Sequence, residues 1–422
     1  MYRASRGTSD ILPEEQHYWR YIERRASKLC ELYGYRRIDT PVFEGARLFI
    51  RGVGEGTDIV EKEMYTFEDR GGDLMTLRPE GTAPVCRAYL EHGMHNLSQP
   101  VRLYYIAPIF RYERPQAGRY RQHQQFGFEA IGEGDPALDA EVIEMAWQLF
   151  ARLGLKRLYL VLNSIGCPKC RPTYLAQLRS YYGQYAGELC PDCRARLERN
   201  PLRLLDCKRE SCQVATASAP RSIDYLCPEC QEHFERLAHY LDLLKLPYRV
   251  NHRLVRGLDY YTRTVFEIQP EEEGAQSTLG GGGRYDGLIE GVGGRPTPAV
   301  GFAAGIERMV LNIKRQGISI PQEPVADVYL AYVGEGAKER AVELASRLRE
   351  SGVGAILSGS NRSLKAQLRQ ANALGLTYAL ILGEDEVKRG VIILRDMAKA
   401  EQQVMTPEQA LQSLRGVMEG VP

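Results

Sequence analysis

Apolar residues recur at helical spacing through Trp19, Ile22, Ala26, Leu29, Cys30 and Tyr33, after a turn-rich opening at 7–13 and an acidic first turn at Glu14 and Glu15. The spacing predicts a long amphipathic helix, then a strand over 35–40 that stops at Pro41. Between Tyr104 and Gly132 the period falls to two. Two strands are predicted here, joined by a loop over 112–121. In the second strand Phe126, Phe128 and Ala130 share one face, and Gln125, Gly127 and Glu129 share the other. A polar face on a strand this deep in an apolar sequence points to a sheet whose second face is a binding site.

The remaining pattern fills in around that hairpin. Residues 61–77 read as a second hairpin broken at Arg70-Gly71-Gly72. Pro79-Glu80-Gly81-Thr82 precedes an apolar helix over 83–90, with Thr82 as its candidate N-cap. An amphipathic helix is predicted over 139–153, a buried strand over 158–163 and a glycine-rich turn over 280–287. A proline-bearing stretch, 318–324, is the best domain boundary. Beyond it strands at 327–333, 354–357, 378–382 and 390–396 alternate with helices at 336–351, 363–374 and 406–417. That alternation predicts a small α/β domain with a largely parallel sheet.

Length and composition narrow the class. At 422 residues two to four domains are expected, and 44% hydrophobic with 26% charged residues is ordinary for a globular protein. No apolar run approaches the roughly 20 residues of a membrane span, and the first residues lack the apolar core of a secretory signal. A cytoplasmic protein without a membrane partner is expected. The net charge of +1 gives no global attraction to nucleic acid, so RNA contact needs local patches.

Eight of the ten cysteines fall in one stretch, as the pairs Cys167 and Cys170, Cys190 and Cys193, Cys207 and Cys212, and Cys227 and Cys230. A C-x2-C pair offers two thiolates from one tight turn, and two such pairs complete a tetrahedral sulfur site. By this spacing the four pairs have the ligands for one or two Zn2+ ions. The same stretch carries Arg194, Arg196, Arg199, Arg203, Lys208 and Arg209, a candidate RNA contact.

The hairpin loop, with Arg111 at the strand end and Arg114-Pro115-Gln116-Ala117-Gly118-Arg119 beyond it, resembles motif 2 of the class II aminoacyl-tRNA synthetases in its histidyl-specific form. The first helix and strand are similar to motif 1, the dimer interface of that family. Val300 to Arg308 is similar to motif 3. Leu254-Val255-Arg256-Gly257-Leu258-Asp259-Tyr260-Tyr261 resembles the peptide that marks histidyl-tRNA synthetases, and the C-terminal stretch resembles the anticodon-binding domain of class IIa enzymes.

The resemblance implies an α+β catalytic domain at 1–165 and 245–322, an antiparallel sheet flanked by helices. An inserted small cysteine-rich domain would occupy 166–244, and a C-terminal α/β anticodon-binding domain 325–422. It implies ATP with Mg2+, L-histidine and the histidine tRNA as ligands, and a homodimer. Arg111 is assigned to the α-phosphate and Arg256 to the gap between carboxylate and α-phosphate. Glu113, Arg119 and Arg308 would serve the rest of ATP. Glu80, Thr82 and Gln125 would hold the amino and carboxylate ends of histidine, with Glu129 and Tyr261 on the imidazole nitrogens and Tyr285 beside the ring. Arg114 and Gln116 would meet the tRNA acceptor end. Asn361, Arg362, Lys365 and Gln367 are the anticodon-side candidates. The alternative is a non-enzymatic, histidine-sensing regulatory paralogue. Such proteins usually lack the C-terminal domain and parts of the catalytic set, both present here.

Overall fold

The computed structural model describes residues 2–115, 118–271, 278–321, 326–359 and 362–419, the last four of these by backbone alone. Gln116 and Asn361 lie outside the described residues. The chain divides into two compact units, Met1–Ile320 and Pro321–Pro422, a division within residues 318–324. Among the described residues no helix is long and apolar enough to cross a membrane.

The first unit is built on an eight-stranded sheet. Its strands run in the order Arg36–Arg37, Val101–Phe110, Gln122–Ile131, Ala299–Gly305, Gly280–Arg284, Thr262–Pro270, Leu158–Ser164 and Tyr248–Val250. The six central strands pair antiparallel, as expected, while the short strand at each edge pairs parallel. The period-2 alternation decides what each face does. Phe126, Phe128, Phe266 and Phe302 project to one side, where the helices Gln16–Leu32, Pro136–Arg152 and Ile306–Arg315 cover them. Phe266 and Phe302 stack at 6.0 Å between ring centroids. Each such buried ring contributes roughly 1.5–3 kcal/mol. The opposite face carries Tyr105, Val161 and Val265 at its flanks and polar side chains at its centre.

Three local expectations change. The strand expected over 35–40 is reduced to Arg36–Arg37, paired with Leu103 and Tyr104. The hairpin over 61–77 forms from Tyr65–Glu68 and Leu74–Leu77, but Ile59–Glu63 before it is helical. The glycine-rich turn is instead a fully buried central strand, Gly280–Arg284. Its glycines answer to crowding: a Cβ on Gly282 would lie 2.0 Å from the Gly301 carbonyl oxygen. The strand ends on Arg284, wholly buried, which bridges Asp139 of the Pro136–Arg152 helix at 2.5 Å and donates to the Glu133 carbonyl at 2.9 Å.

The cysteine-rich stretch forms the helices Arg171–Gly183, Pro191–Arg199, Glu210–Ala217 and Pro228–Leu243. Leu237 and Leu241 of the last join the helix-covered core, and Tyr174, Leu178 and Tyr182 of the first join the cluster on the opposite face.

The second unit is a five-stranded sheet in the order Ala355–Leu357, Val328–Val333, Tyr378–Gly383, Ile392–Asp396 and Gln402–Met405. The first three strands are parallel and the last two antiparallel, so the sheet is less parallel than its alternation implied. Helices Glu335–Glu350 and Leu364–Ala373 cover opposite faces. Gln367, a candidate for RNA contact, is buried. Its amide donates to the Tyr332 and Arg362 carbonyls at 2.7 and 2.8 Å and accepts from the Tyr332 N–H at 3.0 Å. A strand end inside a core needs its backbone groups satisfied, and Gln367 does this instead of facing solvent.

Candidate active site

A cavity of about 610 Å³ opens on the polar face of the large sheet. Glu80, Thr82, Arg111, Glu113, Arg119, Gln125, Glu129, Arg256, Tyr261, Tyr285 and Arg308 all line it. Gln125 and Glu129 come from the strand Gln122–Ile131, Thr82 and Arg308 from the first turns of their helices, and the others from segments that connect elements. Glu129 stands opposite Gly301, and Gln125 opposite Gly305.

One region of the cavity is acidic. Glu129, 1% exposed, accepts a hydrogen bond from the Thr82 hydroxyl at 2.7 Å on Oε1 and from the Tyr285 hydroxyl at 2.6 Å on Oε2. Burial pushes its carboxyl up to about 8; the two hydroxyls pull down and the neighbouring Glu80 charge pushes further up. Glu80 itself accepts the Thr82 and Ala83 N–H groups at 2.7 and 2.8 Å. The helix Thr82–Glu91 is therefore capped by Glu80 and not by Thr82, whose hydroxyl is spent on Glu129. It is Tyr285, and not Tyr261, that bonds to Glu129. The Tyr261 ring packs on Tyr260 at 4.7 Å and lies beneath the Arg256 guanidinium at 5.9 Å.

Another region is cationic. Arg111 Nε donates to the Pro79 carbonyl at 2.7 Å, fixing that arginine beside the Glu80 turn. Glu113 lies 4.0 Å from Arg111 and 3.5 Å from Arg119. Arg308 is aimed by the Thr278 and Gly118 carbonyls at 2.9 and 3.2 Å. Burial, then the nearby Arg119 charge, lower the Arg308 pKa; Glu113 opposes this and Arg111 adds to it. Guanidinium groups crowded so that they repel one another suit a polyanion.

Arg256 forms an ion pair with Glu267, which accepts further bonds from Gln269 Nε2 at 2.7 Å and Thr278 Oγ1 at 2.8 Å. Sequence reasoning missed Glu267 and Gln269. The signal was there: Phe266 and Ile268 alternate with Glu267 and Gln269 just as Phe126 and Phe128 alternate with Gln125 and Glu129. It also missed His123, which burial and the Arg111 and Arg308 charges hold down to about 3. Glu307 is no solvated helix charge. Its Oε1 accepts the Gln124 N–H at 2.8 Å, and its buried Oε2 has no hydrogen-bond partner among the described residues.

The predicted RNA contacts are scattered. Arg114 is exposed outside the cavity lining, and Arg362 and Lys365 are exposed in the second unit. In the cysteine-rich stretch, Arg196 and Arg203 pair with Asp58 at 2.7 and 3.5 Å, and Arg199 with Glu61 at 3.3 Å. Those three charges bind the stretch to its neighbour, leaving Arg194 and Arg209 exposed without such partners among the described residues. The cysteines gather in two groups, Cys167, Cys170, Cys227 and Cys230, and Cys190, Cys193, Cys207 and Cys212.

The family model for histidyl-tRNA synthetase matches residues 7–169 and 199–309, and that for an anticodon binding domain matches 327–416. A histidine–tRNA ligase of Dehalococcoides mccartyi is 62% identical over 97% of this chain and 98% of its own length. One of Pelotomaculum thermopropionicum is 52% identical over 98% of each chain. The apo S. aureus histidyl-tRNA synthetase superimposes with a TM-score of 0.83 at 39% identity, covering 98% of this chain and 100% of that one. With matches of this extent across both units, the chain belongs to the histidyl-tRNA synthetase family.

Proposed function

We propose that this chain ligates L-histidine to its cognate tRNA through a histidyl-adenylate. The carrying observation is one cavity that holds two buried carboxylates, Glu80 and Glu129, together with Arg111, Arg119, Arg256 and Arg308. An ammonium and an imidazole suit the first set; a carboxylate and a triphosphate suit the second.

In this reading the histidine carboxylate oxygen attacks the α-phosphorus of ATP, and the bond to pyrophosphate breaks. Arg111 and Arg256 hold the charge gathering on the phosphoryl oxygens, while Arg119 and Arg308 hold the leaving group. Glu267 presents Arg256 in one orientation, so little reorganisation is needed when charge develops. Glu80, Thr82 and Gln125 grip the amino acid's polar ends. Glu129 accepts from the imidazole, with Tyr261 and Tyr285 beside it. An apolar side chain would leave these groups buried and unpaired, which is how such a site rejects it. The terminal ribose hydroxyl of the tRNA then attacks the acyl carbon and releases AMP. Arg114 and Gln116 would meet the acceptor end, and Arg362 and Lys365 the anticodon side.

Mg2+ bound with ATP supplies charge neutralisation on the phosphates. Glu113 and the free Oε2 of Glu307 offer the oxygen ligands it takes. The converging thiols support structural zinc, since four sulfur ligands leave no open position for catalysis. We assign the catalytic domain to 1–165 and 245–322, the insertion to 166–244 and the anticodon-binding domain to 325–422. The same reading makes the protein a cytoplasmic homodimer.

Histidine-dependent ATP–pyrophosphate exchange tests the reading. Exchange with histidine alone among the amino acids is expected. Histidine binding with no exchange would favour the regulatory alternative, against which the intact arginine set and the second unit already weigh.

A further inference from the structure

We propose that the cysteine-rich stretch holds two zinc ions, one nested within the other along the chain, and that the inner ion fixes a wall of the substrate cavity. The first half stands independently of the ligase reading; the second rests on it.

The outer group joins Cys167 and Cys170 to Cys227 and Cys230 across 60 residues of chain. Its sulfurs lie 3.8 Å (Cys167 to Cys227), 3.9 Å (Cys167 to Cys170) and 4.0 Å (Cys170 to Cys230) apart. Four sulfurs at about 2.3 Å from one zinc ion form a tetrahedron with edges of about 3.8 Å. Disulfide sulfurs would sit about 2.0 Å apart. The spacing is that of ligands around an ion.

The inner group joins Cys190 and Cys193 to Cys207 and Cys212, all four sulfurs within 4.8 Å of one another. Here the Cys190 N–H donates to Cys212 Sγ at 3.3 Å and the Cys193 N–H to Cys190 Sγ at 3.5 Å. In the outer group the Cys167 N–H donates to Cys170 Sγ at 3.3 Å. Amides turned towards sulfur favour the thiolate, the form that binds metal. Eight thiols from four separate turns thus sort into two complete sets of four.

The inner set has a mechanical task. Its helices, Pro191–Arg199 and Glu210–Ala217, have nine and eight residues, too short to persist alone. The chain between them crosses to the cavity. Asn200 donates to Asp259 at 2.7 Å, within the peptide that carries Arg256 and Tyr261. Arg203, Asp206 and Lys208 line the cavity beside Cys207. An ion tying Cys207 and Cys212 to Cys190 and Cys193 clamps both ends of that crossing.

Elemental analysis of the full-length protein, purified without chelator, is expected to give two zinc ions per chain. Cobalt substituted for zinc should show the absorption bands of tetrahedral thiolate coordination. The double variants Cys227→Ser/Cys230→Ser and Cys207→Ser/Cys212→Ser should each reduce the count to one. The inner variant alone should raise the histidine and ATP KM in exchange by more than threefold. Cys212→His, which keeps four ligands, should retain metal and shift the cobalt bands, even where the serine variants fold poorly. Well under one ion per chain, with all eight thiols freely titratable in the folded protein, would overturn the proposal. One ion per chain in the unsubstituted protein, lost in only one of the two double variants, would overturn the two-site assignment. Unchanged KM in a folded, metal-depleted inner variant would overturn the wall. Metal counts are read without histidine chemistry, so an absence of exchange would count against the ligase reading and not against the sites.

Discussion

Glu129 and Gly301 face each other across two antiparallel strands, and a Cβ on Gly301 would lie 1.7 Å from Glu129 Oε2. The glycine is the space in which the carboxylate sits. Gly301→Ala should therefore displace Glu129 from Tyr285 and Thr82 while the sheet pairing survives. The histidine KM in pyrophosphate exchange is expected to rise at least tenfold, about 1.4 kcal/mol, with a smaller change for ATP. An equal change in both would show that the alanine distorts the whole cavity.

Arg256 is held by Glu267, which is held in turn by Gln269 and Thr278. Arg256→Ala should cut adenylate formation by more than tenfold with the fold intact. Glu267→Gln keeps the shape and loses the charge, so it should lower kcat less than Arg256→Ala does. Near-normal exchange in the alanine variant would remove Arg256 from the reaction.

The Glu129 carboxyl is raised from 4.5 to about 8, so in the empty cavity it ionises only as pH climbs towards that value. In the unfolded chain it ionises near 4.5, so this group lowers folded-state stability progressively between those two pH values. An imidazole N–H donated to it favours the ionised form. Histidine KM should fall severalfold as pH rises towards about 8, and Glu129→Gln should remove that part of the pH dependence. Histidine's own titration, near about 6.5, is common to both proteins and cancels in the comparison. The variant should also weaken histidine binding more than ATP binding.

Arg284 and Asp139 form a wholly buried ion pair, and Asp286 and the Glu133 and Asp135 carbonyls also accept from the guanidinium. Asp139→Asn should destabilise the first unit by about 3–5 kcal/mol, because it strands a buried charge. Its carboxyl is lowered from 3.8 to about 2, chiefly by the Arg284 charge working against burial. That contribution is present above pH 3.8 and lost as pH falls through about 2, so the variant's unfolding should vary less with pH across this window. Thermal melts at several acidic pH values check both points.

In the second unit Arg362 and Lys365 are exposed, while Gln367 is buried. Arg362→Glu with Lys365→Glu should lower kcat/KM for tRNA charging by tenfold or more and leave histidine-dependent exchange unchanged. Gln367→Ala should lower the Tm of this unit, since it orphans the Tyr332 backbone groups. Loss of exchange in the double charge variant would contradict the assignment.

The sequence alone determined the elements with strong periodicity and the residues that chemistry makes conspicuous. The alternation at 125–130 separated core from cavity, the arginine- and glycine-bearing loops marked the cationic side, and paired cysteines marked a stretch with the spacing of metal ligands. Alternation is a property of consecutive residues, so it is legible without a fold. Partnership is not. That Tyr285 meets Glu129 across 156 residues, that Glu267 aims Arg256, and that the first cysteine pair joins the fourth all follow from how distant elements pack together. Gly280–Arg284 is a strand, and not a turn, because it pairs on both sides, with Thr262–Pro270 and Ala299–Gly305, and its glycines let the neighbouring backbones and Arg256 come close. Gln367 became a core clamp because helix packing turned it inward. Local patterning sets which face of each element is apolar; only packing the elements together decides which distant polar groups must satisfy one another, and so where the chemistry sits.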